Sequence, residues 1–392
     1  MSGLTAAYLL QRAFDVTLYE TEHRLGGHAH THDVVAPAGE IVAVDSGFIV
    51  YNERTYPNLV RLFAELGVET RTSEMSMSVR CEGCGLEYAG ARGLGGVFAQ
   101  PRQITNRKYL RMLVEVKRFH RRARAWLAAR DAAAPGDPAT LRCFLAESGF
   151  SPYFVQHFMV PVVSCVWSCP PEVALDYPAE YLFRFLEHHG FLSIGESPQW
   201  RTVVGGSRTY VELAAKGLTA TALGVPVRSV RRTASGVEVR DELDEVATFD
   251  HVVIATHADQ ALALLDTPTA AQRAVLGAFG YSENRTVLHT DSSLLPVAPR
   301  ARASWNYLLD RCGDRVAENG PPVQVSYHMN RLQGIEGDAD YVVTLNADAR
   351  LAPDSVLATM SYTHPVYTPA SVAAQARLAE LDDDRLAFAG AY

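Results

Sequence analysis

The feature that most constrains this chain lies at its start. Met1-Ser2-Gly3-Leu4-Thr5-Ala6-Ala7-Tyr8-Leu9-Leu10 has small residues and then an apolar face at helical spacing, which predicts a helix already under way at the first residues. Asp15-Val16-Thr17-Leu18-Tyr19-Glu20 alternates and is β-branched, which predicts a short strand ending in an acid. A glycine at the head of a helix, followed 17 residues later by a carboxylate at the end of a strand, is the second half of a nucleotide-binding βαβ unit. The glycine lets helix and sheet backbones approach closely, and the carboxylate accepts hydrogen bonds from ribose hydroxyls. Gly3 then reads as the third glycine of G-x-G-x-x-G. The first strand and the first two glycines are expected to lie outside this chain, as is the turn after the final strand Leu386-Ala387-Phe388-Ala389-Gly390.

The next residues, Thr21-Glu22-His23-Arg24-Leu25-Gly26-Gly27-His28, extend the argument. Paired glycines bring backbone N–H groups near a pyrophosphate, and an arginine beside them can neutralise it. Further along, Val204-Gly205-Gly206-Ser207 opens a helix, and Gly224-Val225-Pro226-Val227-Arg228-Ser229-Val230 reads as a strand. Phe249-Asp250-His251-Val252-Val253-Ile254-Ala255-Thr256 is a β-run ending in small residues, where a ligand can come close.

The Arg24-Leu25-Gly26-Gly27-His28 segment resembles the R-x-G-G-[RH] continuation of the superfamily of flavin-containing amine oxidases, protoporphyrinogen oxidases and phytoene desaturases. The resemblance runs through Val44-Asp45-Ser46-Gly47-Phe48-Ile49-Val50-Tyr51-Asn52, Gly85-Leu86-Glu87-Tyr88-Ala89-Gly90, Trp305-Asn306-Tyr307 and Ser326-Tyr327-His328-Met329-Asn330-Arg331-Leu332-Gln333. It is nearest to the bacterial group of FAD/NAD-binding, amine-oxidase-like proteins. It implies an α/β fold with FAD as cofactor: a Rossmann-like, glutathione-reductase-type domain assembled from discontinuous segments, plus an α+β substrate domain. The cofactor residues it implies are Ser2, Gly3, Glu20, Arg24, Gly26, Gly27, His28, Gly47, Phe48, Val227, Ala255, Thr256 and Gly390. Cofactor segments are expected at 1–70, 198–264 and 375–392, with substrate-binding blocks at 71–197 and 265–374. The first block should hold a short β-section, a helical stretch from Asn106 to Arg130, a Pro/Gly break at 134–138 and further helices through Glu187. The second should be mostly strands walling a pocket.

Composition narrows the function classes. A chain of 392 residues with 48% apolar and 20% charged residues can bury a large core. The excess of 44 acids over 36 bases, a net charge of −8, argues against nucleic acid as a partner. Six cysteines without a secretory leader point to a reducing, cytoplasmic setting. The basic run Lys117-Arg118-Phe119-His120-Arg121-Arg122-Ala123-Arg124 is either a solvated helix face or a peripheral contact for an anionic lipid surface or an acidic carrier.

Two metal patterns are weighed. His28, His30 and His32 alternate, so on one strand they would share a face, yet one strand rarely supplies three ligands to one ion. Cys81-Glu82-Gly83-Cys84 is a knuckle-like C-x-x-C, but Cys165 and Cys169 are irregularly spaced. Buried thiols, with no metal, are therefore expected, a redox dithiol beside the flavin being the minor option.

For the chemistry, many amine oxidases of the superfamily hold a water at the flavin with a lysine. The three lysines here, Lys108, Lys117 and Lys216, match no such position. The inserted blocks are instead rich in aromatics, among them Phe154, Phe158, Trp167, Tyr181, Phe185 and Tyr307. The expectation is hydride transfer between the flavin and an apolar, lipid- or acyl-like substrate, of the desaturase or saturase type, with Tyr51, Trp305, Tyr327 and His328 as candidate pocket residues. The alternatives are an amine oxidase-type flavoenzyme, or a truncated, non-catalytic flavoprotein-like scaffold.

Overall fold

The computed structural model describes residues 1–132, 139–193, 195, 197–313 and 322–392. The Pro/Gly break at 134–138 lies outside them. The helix Ser2–Leu10 turns Leu4 and Ala7 inward and lies across two strands, Thr17–Glu20 and Val252–Ile254. Each of these has its own parallel partner. Thr17–Glu20 pairs with Ala220–Leu223, in the register Thr17 with Ala220 and Glu20 with Leu223. Val252–Ile254 pairs with Leu386–Phe388. Parallel pairing needs long crossovers, and both partners come from distant parts of the chain.

One element differs from the sequence expectation. The stretch from Gly224 to Val230 is not a single strand. Gly224 sits at φ +66°, where a Cβ would strike the His23 ring at 2.4 Å, so the chain turns there. Ala220–Leu223 before it serves the parallel pair. Val227–Arg232 after it opens an antiparallel sheet with Val237–Asp241 and Val246–Phe249.

The inserted blocks share one seven-stranded sheet. Its spatial order is Val356–Val366, Gly280–His289, Val342–Leu345, Gln324–His328, Trp305–Leu309, Met77–Cys81 and Glu87–Gly90. All neighbours are antiparallel except Trp305–Leu309 and Met77–Cys81, which run parallel with Leu309 opposite Cys81. Val342–Leu345 is buried at every position, as expected of a strand covered on both faces.

On one side of this sheet lies the helical unit. Asn106 caps the helix Arg107–Asp131 by accepting from the Tyr109 amide, and Tyr109, Met112, Glu115, Phe119, Ala123 and Leu127 form its buried stripe at three- and four-residue spacing. That stripe meets Pro152–Phe154 and Ala179–His188. Part of the basic run is committed here. Arg118 and Arg122 donate to the Ser148 carbonyl, closing the end of the helix Leu141–Glu147, while burial pushes the His120 imidazole down to about 4. Between Pro152–Phe154 and the helix Val160–Trp167, residues Val155–Met159 form a π-helical turn. Among the described residues no helix is long and apolar enough to cross a membrane.

Candidate functional site

The residues expected to hold the cofactor converge on the N-terminal end of the helix Ser2–Leu10. Gly3 lets that helix lie on the sheet: a Cβ there would sit 3.1 Å from the Ala255 Cβ. The Met1 amine, just ahead of Ser2, donates to the Gly26 carbonyl at 3.3 Å. Gly26 and Gly27 take φ +109° and +58°, a turn that side chains disfavour. Arg24 clasps this turn by donating to the Gly27 carbonyl at 2.8 Å, and it pairs with Glu22 at 2.8 Å.

The other candidates close the cradle. A Cβ on Gly47 would come within 2.0 Å of the His28 carbonyl oxygen, and the Phe48 amide donates to that same oxygen at 2.8 Å. A Cβ on Gly390 would meet the Thr256 carbonyl at 2.2 Å, while the Ala389 amide bonds Ile254 at 3.0 Å. Glu20 ends its strand with Oε1 accepting from the Glu22 amide at 3.1 Å, and its carbonyl accepts from Val225, two residues before Val227. These close approaches are between protein segments: the glycines let the helix start, the Gly26-Gly27 turn, the Gly47 segment and the end of the last strand pack backbone to backbone, while a Cβ on Gly27 would meet only the Met1 nitrogen, at 3.9 Å.

Three imidazoles face one another beside the turn. His28 lies 5.5 Å from His364 and 6.3 Å from His257, ring centre to ring centre, with Tyr362 at 4.8 Å. Burial, assisted by mutual repulsion, pushes His28 and His364 down to about 4, and burial lowers His257 as well. All three are neutral at neutral pH.

His30 and His32 do not share a face with His28, because the strand begins only at Thr31. Their ring centres lie 4.0 Å apart, the planes tilted by 38°. His30 bonds Tyr362 Oη at 3.0 Å and His32 bonds Ser46 Oγ at 2.8 Å, so they belong to a hydrogen-bond network.

Beneath the cradle is an anchor that sequence reasoning missed. Asp45 is 1% exposed, and its carboxylate accepts from the Ser207 amide at 2.9 Å, Ser207 Oγ at 2.8 Å, Thr31 Oγ1 at 2.6 Å and Gln333 Nε2 at 3.3 Å. Thr31 Oγ1 in turn accepts from the Arg208 amide. Two side chains from the hairpin of Thr31–Val35 and Ile41–Asp45 thus cap the helix Arg208–Ala215 from outside it. Burial raises the Asp45 carboxyl, while the Thr31 and Ser207 hydrogen bonds pull the other way. The sequence signal was the Gly-Gly-Ser helix start without an acidic residue of its own.

The four candidate pocket residues separate. Tyr51 is buried 5.2 Å from Phe63, in the cluster formed with Tyr210 and Val211. Tyr327 and His328 are successive strand residues and so face opposite sides of the sheet. His328 Nε2 is held by Asp340 at 2.9 Å. Trp305 and Tyr327 meet at 5.8 Å on the side facing the helices.

A run of rings leads from the cradle into the helical unit. It passes from Phe48 to Tyr56 (6.2 Å), His189 (6.0 Å), Phe185 (3.9 Å), Trp167 (4.7 Å), Tyr181 (6.5 Å) and Tyr367 (4.6 Å). The three lysines are exposed, two on the helix Arg107–Asp131 and Lys216 at the end of Arg208–Ala215.

Comparison with known proteins agrees with this arrangement. The family model described as flavin-containing amine oxidoreductase matches residues 1–310. Among solved structures, a cofactor-binding redesign of putrescine oxidase is similar at TM-score 0.67 and 15% identity, over 99% of this chain and 90% of that one. Cyclohexylamine oxidase from Brevibacterium oxydans is similar at 0.63 and 16%, over 99% and 90%. A fatty acid isomerase from P. acnes that produces CLA is similar at 0.64 and 15%, over 100% and 91%. At these identities the structural likeness speaks for the fold. No curated protein matches the chain. With the family model spanning most of its length, the chain belongs to the flavin-containing amine oxidoreductase family and is an FAD-dependent oxidoreductase.

Proposed function

We propose that this flavoenzyme exchanges a hydride with a carbon of an apolar, elongated substrate, of the acyl-chain class, making or saturating a double bond. The observation that carries this reading is the run of aromatic rings from Phe48, beside the cradle, to Tyr181 and Tyr367. Such a wall favours an aliphatic chain over a compact charged amine, because each methylene removed from water contributes about 0.8 kcal/mol. Bound flavin would supply the two-electron partner, accepting the hydride in its oxidised form when a double bond is made and donating it in its reduced form when one is saturated. The residues around it bind and position: Gly3, Gly26 and Gly47 let the segments that would surround the cofactor pack closely, Arg24 holds the glycine turn, and the neutral His28, His257 and His364 keep imidazolium charge away from the site. The exposed positions of Lys108, Lys117 and Lys216 weigh against the lysine-held water of amine oxidation.

The test is anaerobic reduction. Purified, FAD-loaded protein is mixed with acyl lipids or with primary amines, and the flavin absorbance is followed. Bleaching by an acyl substrate and not by amines is expected, and Tyr181→Arg should slow it at least tenfold by placing a charge in the ring run. Bleaching by a primary amine alone would instead establish amine oxidation. A yellow protein reduced by neither class, whose dithionite-reduced flavin is also not re-oxidised anaerobically by an unsaturated acyl chain, would refute both enzyme readings and leave the scaffold.

A further inference from the structure

We propose that Cys81, Cys84, Cys312 and His157 bind a single zinc-class divalent cation in a tetrahedral site of three sulfurs and one nitrogen that pins the edge of the seven-stranded sheet to the helical unit. The inference is independent of the flavin chemistry. The three Sγ atoms and a ring nitrogen of His157 all lie within 4.8 Å of one another, with Cys84 Sγ 3.4 Å from His157 Nε2. Zinc–sulfur bonds of about 2.3 Å and zinc–nitrogen bonds of about 2.0 Å at tetrahedral angles require ligand atoms roughly 3.5–3.8 Å apart. The four atoms are therefore already near the edges of such a tetrahedron.

Each ligand is held in place by something other than the ion. Cys81 ends its strand, and the turn Cys81-Glu82-Gly83-Cys84-Gly85 folds back as a knuckle, with Gly85 at φ +68°. The Cys84 and Leu86 backbone amides lie on the side of the Cys81 and Cys84 sulfurs respectively and favour their thiolate forms. Gly83 permits the third sulfur to approach, since a Cβ there would meet the Cys312 nitrogen at 2.8 Å and the Arg311 Cα at 3.2 Å. Cys312 follows the strand Trp305–Leu309, and the amide of the next residue, Gly313, donates to Gln156 Oε1 at 3.1 Å.

His157 is buried in the π-helical turn, a rare geometry in which one extra residue re-aims the side chains. Its Nδ1 lies 3.0 Å from the Tyr153 carbonyl, which can only accept. Nδ1 therefore carries the proton, and Nε2 presents its lone pair to the sulfurs, the tautomer a metal needs. Three thiolates and one imidazole around a dication leave a net negative charge, and the Arg102 guanidinium bonds the Gly85 carbonyl at the rim. A soft, mixed sulfur and nitrogen tetrahedron selects zinc over magnesium or calcium.

The experiment uses the full chain, expressed with zinc supplementation and exchanged into metal-free buffer. Mass-spectrometric metal analysis should find close to one zinc per chain, released when a mercurial titrates the thiols. Cys312→Ser and His157→Ala should lower the zinc content at least tenfold, His157→Cys should restore it, and Cys143→Ser, at an exposed thiol elsewhere, should leave it unchanged. Cobalt substitution of the wild-type chain removes any dependence on how the variants fold: intense tetrahedral d–d bands with sulfur-to-cobalt charge transfer support the site. A wild-type chain below a tenth of an equivalent of metal, a native disulfide between Cys81 and Cys84, or zinc retained in both Cys312→Ser and His157→Ala overturns it.

Discussion

Replacing Asp45 by asparagine tests whether the cradle rests on a buried carboxylate. The substitution keeps the size and one acceptor oxygen, but puts an NH2 group where Oδ2 now faces the Ser207 amide at 3.1 Å and Gln333 Nε2 at 3.3 Å. Gln333 cannot flip to accept, because its Oε1 already takes the Asp45 amide at 2.8 Å. Two donor–donor contacts result; the Ser207 amide keeps Oδ1 as its acceptor at 2.9 Å, so the one with Gln333 is left uncompensated and costs about 1–3 kcal/mol, and the remaining bonds lose their charge assistance. Against this, a neutral amide is easier to bury. The net expectation is about 2–3 kcal/mol of destabilisation.

Burial pushes the Asp45 carboxyl upward, and a protonated Asp45 would make asparagine nearly silent. The Ser207 amide and Gln333 NH2 can only donate, however, so the ionised form is the better match and the substitution should be felt. For a chain of this size a loss of about 2–3 kcal/mol lowers the melting temperature by roughly 3 °C. The assay is a thermal scan read by tryptophan fluorescence, with Trp200 nearby, and in parallel by release of fluorescent flavin. Both transitions should fall together. A variant melting within about 1 °C of wild type would refute the ionised-anchor argument.

Two further outcomes are expected. His28 and His364 sit at about 4 in the folded chain against an ordinary 6.5, so the native state binds fewer protons than the unfolded one between those values, and stability present above pH 6.5 is lost as the pH falls toward 4. The slope is up to about 1.4 kcal/mol per pH unit for each histidine; urea midpoints at pH 7.5, 6 and 5 should fall in order, and an unchanged slope in the His28→Asn/His364→Gln double variant would contradict the assignment. Gly3→Leu must push the helix Ser2–Leu10 away from Ala255, so flavin retained after dialysis should drop at least tenfold, and full retention would show that this close approach is dispensable.

The parts of the molecule legible in the sequence are those whose signals are local. Gly3, Glu20 and the Gly26-Gly27 turn are separated by short, fixed intervals, and Tyr109 through Leu127 is a plain helical stripe. Failures arose where a distant partner decides. The alternation of His28, His30 and His32 implied one strand face, but the strand starts at Thr31 because its pairing with Asp45 starts there. Ala220–Leu223 carries little strand signal and is a strand because Thr17–Glu20 lies beside it. Asp45 stood inside a recognisable motif, yet its role depends on Ser207 and Gln333. The Cys81-x-x-Cys84 pair looked incomplete because His157 and Cys312 arrive from a helix and a strand end at no regular spacing.

The order in which strands meet has a consequence for how the molecule is made. Met77–Cys81 has only its hairpin neighbour Glu87–Gly90 until Trp305–Leu309 emerges from the ribosome, and Val252–Ile254 waits for Leu386–Phe388. A nascent chain therefore carries open sheet edges through most of its translation, the state most exposed to misassociation. Flavin supplied early has no finished cradle to template, so added cofactor should rescue stalled or C-terminally clipped chains poorly, whereas holdase chaperones present during synthesis should raise the yield of yellow protein.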